Sequence, residues 1–130
     1  MKFNLLLFVG LHSLACASTS SYKIENMAFP DDMPPEVGGL AFDGDGNLYA
    51  CLRRGDVLVT KPGKDPKSTQ WKVFATGLHN PMGMELIGPG HVLVTQMAEF
   101  TEIIDTDQDG VADRYNNLAS DFGISGNYHE

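Results

Sequence analysis

The chain has 130 residues, with 17 acidic against 9 basic side chains and a formal net charge of −8. That length sets one domain as the expectation, and 42% hydrophobic with 20% charged residues argues against a disordered polyelectrolyte. The acidic balance argues against binding driven by Lys and Arg contacts to nucleic-acid phosphates or to an anionic membrane surface, and two cysteines are too few for a disulfide scaffold.

The first segment reads as an export signal. Lys2 leads the short apolar run Leu5–Leu14, and the small residues Ala15-Cys16-Ala17 follow. A positive start, an apolar stretch and an Ala-x-Ala cut site are the layout of a secretory leader. The run is well short of the ~20 residues a spanning helix needs, so no membrane span is expected. Cleavage after Ala17 makes residues 1–17 the leader and 18–36 an N-terminal extension, with the mature chain periplasmic or extracellular. Two alternatives are a lipid anchor at Cys16 and a buried amphipathic first helix. Ser13 fits a lipoprotein box poorly, and His12 and Ser13 interrupt any apolar stripe.

The body repeats itself at an offset of 44 residues. Gly39 aligns with Gly83, Gly44 with Gly88 and Gly46 with Gly90; Leu40 falls on Met84, Phe42 on Leu86 and Leu48 on Val92. Further on, Trp71 falls on Tyr115, Phe74 on Leu118 and Ala75 on Ala119. The first unit predicts strands at Gly39–Phe42, Leu48–Leu52, Val57–Thr60 and Trp71–Ala75. Between them lie the turn clusters Asp43–Asn47 and Arg53–Asp56 and the polar loop Lys61–Lys67. The second unit predicts strands at Met84–Leu86, His91–Thr95 and Glu102–Ile104, with a turn at Gly88-Pro89-Gly90. No stretch sustains a 3.6-residue period, so helix should be scarce. Cys51 lies within an apolar strand, where a thiol is a small hydrophobe.

Four short antiparallel strands in about 40–50 residues is the blade pattern of a β-propeller. A sandwich gives no reason for matching turns 44 residues apart, and solenoid repeats are usually shorter. The fold expected is therefore all-β, with blades at about 37–78 and 81–122 inside a partial propeller spanning 37–130. A propeller ring takes about 4–8 blades, so two blades imply an N-terminal piece of a longer protein, with the remaining blades downstream.

The strongest chemical signal is Asp105-Thr106-Asp107-Gln108-Asp109-Gly110-Val111-Ala112-Asp113. Carboxylates at positions 1, 3 and 5, glycine at 6 and aspartate at 9 match a calcium loop, in which hard oxygen donors converge on one ion. The expected ligands are Asp105, Asp107, Asp109 and Asp113, with the Val111 carbonyl. Position 12 is Asn116 and not the bidentate glutamate of an EF-hand, which points to an affinity of about millimolar class. A solvated acidic turn is the alternative.

Three segments carry a family resemblance. Gly77-Leu78-His79-Asn80-Pro81-Met82-Gly83-Met84, the Asp loop through Arg114-Tyr115, and Ser125-Gly126-Asn127-Tyr128-His129-Glu130 resemble the secreted propellers of the sorbosone dehydrogenase and quinoprotein glucose dehydrogenase group. The resemblance covers roughly residues 34–130. It implies a six-bladed ring that binds pyrroloquinoline quinone with calcium and oxidises a sugar or aldose, a histidine at the mouth taking the hydroxyl proton while hydride passes to the quinone. On that basis His129 is the candidate catalytic base; a loop histidine held by a hydrogen bond is the alternative. Members are often fused to a haem domain, but this chain carries no Cys-x-x-Cys-His. A non-catalytic secreted calcium-binding propeller that binds carbohydrate or protein is the competing function, because the same ring hosts both.

Other residues read as structural. His79 fits a surface turn between blades, and Arg53-Arg54 a solvated hairpin turn in preference to a grip on an anionic cofactor. Trp71 and Phe74 should fill the gap between adjacent blades. Met82, Met84 and Met97 read as core filling, since no His or Cys accompanies them at ligand spacing.

Overall fold

The computed structural model describes residues 21–123. They are all-β, with no α-helix: β1 (Val37–Phe42), β2 (Leu48–Leu52), β3 (Val57–Thr60), β4 (Lys72–Ala75), β5 (Gly83–Gly88), β6 (His91–Gln96), β7 (Glu99–Ile104) and β8 (Arg114–Ala119). A single 3-10 turn at Pro66–Ser68 interrupts the loop between β3 and β4, and the Asp65 carboxylate accepts the Lys67 N–H at 3.0 Å to cap it. The strands form two four-stranded antiparallel sheets, ordered β1-β2-β3-β4 and β5-β6-β7-β8. Among the described residues no helix is long and apolar enough to cross a membrane. The leader expected at residues 1–17, its Cys16 and the candidate base His129 lie outside the described residues.

The two sheets are copies in register as well as in order. Leu40 faces Ala50 across β1 and β2, and Met84 faces Val94 across β5 and β6, each partner displaced by the same 44 residues. Both sheets also carry a bulge between their third and fourth strands, at Val57/Leu58 and at Phe100/Thr101. A bulge inserts one residue and increases local twist, so its recurrence at matched places shapes both outer edges alike. The offset falls by one residue within the β6–β7 hairpin. There a two-residue turn with Ala98 at φ 67° replaces the longer Arg53–Asp56 turn.

The sheets pack face to face. Tyr49, Cys51, Val57, Phe74, Ala75 and Leu78 from the first unit bury against Val92, Val94, Ile103 and Ala112 from the second. Tyr49 and Phe74 meet edge to face, with ring centroids 5.3 Å apart at 85°, a geometry aromatic quadrupoles favour. Phe74 thus fills the gap between units as its spacing implied. Cys51 is fully buried, and burial pushes its thiol upward in pKa. Along the inner edge β1 runs beside β5, where Gly38 abuts the Pro81 carbonyl and Gly39 lies against Gly83 and Met84.

Trp71 departs from expectation. It lies on the opposite face of the first sheet, where its ring meets Phe29 at 5.5 Å and its Nε1–H donates to the Ala28 carbonyl at 2.9 Å. Ala28 N–H donates to Pro66 O at 2.9 Å and Arg53 N–H to Glu36 O at 2.8 Å. The extension therefore folds over the back of the first sheet, leaving Leu48, Ala50, Leu52 and Leu58 buried. Trp71 precedes β4, and its contacts with Ala28 and Phe29 of the extension hold it on that side.

Candidate functional site

The Asp loop joins β7 to β8. Its first aspartate is fixed by the ladder: Asp105 N–H donates to Gly90 O at 2.8 Å, and Asp113 N–H closes the loop onto Ile104 O at 3.0 Å. Within it, backbone amides turn inward onto carboxylates. Gly110 N–H donates to Asp105 Oδ2 at 2.9 Å, Asp109 N–H to Asp105 Oδ1 at 3.2 Å, and Val111 N–H to Asp109 Oδ1 at 2.8 Å. Gly110 sits at φ 95° and Gln108 at φ 63°, left-handed backbone that tightens the turn.

This folding brings one oxygen from each of Asp105, Asp107 and Asp109 within 4.8 Å of the others. Three hard anionic donors at that separation suit a calcium-sized cation, which takes oxygens at about 2.3–2.6 Å. Asp113 stands apart from the trio: its carboxylate accepts the Thr106 N–H at 3.2 Å and the Thr106 hydroxyl at 2.6 Å. Val111 holds its side chain half exposed.

The loop reaches across to the first sheet. Ala112 is buried, and its N–H donates to the Phe74 carbonyl on β4 at 2.7 Å, while Tyr115 Oη accepts the Thr76 N–H at 3.3 Å. Between the sheets, beside the loop, opens a groove of about 590 Å³. Tyr49, Phe74, Lys61, Lys72, Asp105 and Asp109 are among the residues that line it. No sequence signal marks this groove, because its walls come from both repeat units, which only sheet packing brings together.

The neighbouring Asp43–Asn47 turn carries a second structured carboxylate. Asp43 accepts Asn47 N–H at 2.8 Å, Asp45 N–H at 3.0 Å and Asn47 Nδ2–H at 2.6 Å. Burial opposes its ionisation, but these donors and the Lys61 charge outweigh it and hold the carboxyl below its usual range. A carboxyl depressed by folding adds stability above its unfolded pKa and loses it as pH falls through the lower folded value. Asp43→Ala should therefore cost about 1 kcal/mol at pH 7, and the gap from wild type should narrow at about pH 2.5, below the ordinary aspartate pKa. Urea titrations at both pH values check this; a gap independent of pH would remove the carboxylate charge from the explanation.

The remaining predicted positions are structural. Arg53 Nε–H donates to Asn80 Oδ1 at 3.0 Å, tying the β2–β3 turn to the inter-sheet link. His79 is exposed, and its carbonyl accepts Met97 N–H at 2.7 Å. Met84 packs against the inter-sheet core, whereas Met82 is half exposed and so not core filling.

Compared with models of known protein families, with curated proteins and with solved structures, the chain matches none. Its resemblance to the quinoprotein propellers stands on the quoted residues alone.

Proposed function

We propose that the chain is a calcium-clamped portion of a secreted β-propeller, in which the ion fastens one blade to the next. The observation that carries this is the hydrogen bond from Ala112, inside the Asp loop, to Phe74 of the other sheet. A cation held by Asp105, Asp107 and Asp109 neutralises the repulsion of the acidic loop and fixes that bond in place. Matched registers, matched bulges and glycine-lined inner strands support the propeller architecture.

For a sugar or aldose dehydrogenase using pyrroloquinoline quinone, the support is the sequence resemblance. Its candidate base His129 lies outside the described residues. For these two units we adopt calcium binding within a propeller, the role the Asp105, Asp107 and Asp109 trio supports.

Calorimetry with calcium on the wild type, Asp107→Ala and Asp109→Ala tests the clamp. Calcium at about one hundred times its Kd should stabilise the wild type by about 2.7 kcal/mol, and both variants should lose the heat and the shift. Equal heats in all three proteins would leave only a solvated acidic turn.

A further inference from the structure

We propose that the loop leading from β3 into β4, with the groove beside it, binds an acidic saccharide, a hydroxylated ring that carries a carboxylate. The inference goes beyond the calcium clamp and does not rest on it, because the charges that carry it are lysines of the first unit.

Charge is distributed unevenly along the chain. The segment Lys61–Lys72 holds four lysines, Lys61, Lys64, Lys67 and Lys72, against the single acid Asp65. Four positive charges and one negative make it +3, and removing it from a total of −8 leaves −11 for all the rest. The matching loop of the second unit, between β7 and β8, is the Asp loop. The repeat therefore accepts either sign at this place, and the fold does not require the basic one. The lysines do not serve the acids either. Among the described residues the ion pairs are Lys23 with Glu25 and His91 with Glu102, and none joins the two loops. The loop itself is held in shape. Ser68 Oγ–H donates to Asp65 O at 2.8 Å, Thr69 Oγ1–H to Pro66 O at 2.7 Å and Thr60 Oγ1–H to Gln70 O at 2.7 Å. A frame fixed before the ligand arrives lowers the ordering cost of binding.

The groove states what kind of anion fits. Its volume of about 590 Å³ is that of a small-ligand site, and its lining offers three chemistries. Lys61 and Lys72 supply ammonium donors for a carboxylate. Asp105 and Asp109 accept hydrogen bonds from hydroxyls. Val73 and Val111, 37% and 50% exposed, offer apolar surface to the C–H face of a ring; they sit on the two segments that the Ala112–Phe74 hydrogen bond joins. A sugar ring bearing a carboxylate uses all three, whereas a bare phosphate or sulfate uses only the lysines. Nucleic acid fits poorly. Its duplex carries a charge about every 1.7 Å, and beyond this one loop such a chain would meet a protein of −11. A uronate chain carries its charges further apart, one to each ring.

The test is calorimetry of the full chain with trigalacturonate, with the neutral trisaccharide maltotriose and with a DNA oligonucleotide, calcium being present throughout. Calcium's own heats come from the titration described above, so failure of the clamp and failure of this site are read separately. Trigalacturonate should bind, and its affinity should fall as salt screens the lysines. Lys61→Gln/Lys72→Gln should weaken it about tenfold, the effect of losing two exposed charge pairs. Lys72→Gln alone should weaken it about threefold. Lys72 is exposed, so this variant keeps the fold and its melting temperature checks that. Arg54→Gln removes an equal charge from the turn at the other end of β3 and should bind as the wild type does. Absence of heat with trigalacturonate would overturn the proposal, and so would equal affinity for maltotriose. Tighter binding of the oligonucleotide would make the loop a nucleic-acid contact instead. An equal loss in Lys72→Gln and Arg54→Gln would show that net charge and not this groove attracts the ligand, and that too would overturn it.

Discussion

Phe74→Ala should lower the unfolding free energy by about 3–5 kcal/mol, the cost of removing a buried aromatic ring and leaving a cavity. Phe74 is 1% exposed, at the centre of the inter-sheet core. Its ring packs edge to face with Tyr49 within the core shared by the two sheets and lines the groove, so the loss falls on both sheets at once. The Phe74 carbonyl that receives Ala112 is backbone and survives the substitution, but the strand carrying it loses its anchor. For a domain whose whole stability is about 5–15 kcal/mol, such a loss brings the variant close to unfolding at room temperature. Urea titration followed by tyrosine and tryptophan fluorescence measures it. A loss below about 1 kcal/mol would mean that the sheets do not share this core, since only an uncovered surface position tolerates the change so well.

Gly38→Ala should also be costly, for a different reason. A Cβ built there would stand 2.0 Å from the Pro81 carbonyl oxygen and 3.1 Å from Met82 Cα. These are backbone atoms of the segment entering β5, not the movable end of a side chain. The variant must push β1 and β5 apart, and overpacking of that kind costs about 1–3 kcal/mol or more. Gly55→Ala meets a similar barrier, with the Leu78 carbonyl oxygen 2.2 Å away and φ at 111°. Gly44 provides the control: nothing lies within 4 Å of its added Cβ, so Gly44→Ala should fall within about 0.5 kcal/mol of wild type. Thermal melts of the three variants check the order. Equal melting of Gly38→Ala and Gly44→Ala would contradict the close approach of the inner strands.

The amino-acid sequence alone determined the strands that carry their own pattern. β2 and β3 occupy the predicted residues, Leu48–Leu52 and Val57–Thr60, because each is a short apolar run closed on both sides by turn residues. The repeat was legible for the same reason: turn glycines and apolar positions recur together. The Asp trio was legible because its spacing is local, and one loop brings its three oxygens together. β7 was harder. It begins at Glu99, three residues before the predicted Glu102, since Glu99, Phe100 and Thr101 alternate too briefly to mark a strand until β6 pairs with them. Only the tertiary structure decided which side Trp71 faces, that Asp113 bonds Thr106, and that a groove opens between Tyr49, Lys72 and Asp109. Each of these depends on where a distant segment packs, a long-range choice made by the whole core and not by the residues nearby. The same holds for Gly38. Any residue suits its strand, and only the arrival of Pro81 on β1 makes the absence of a side chain necessary.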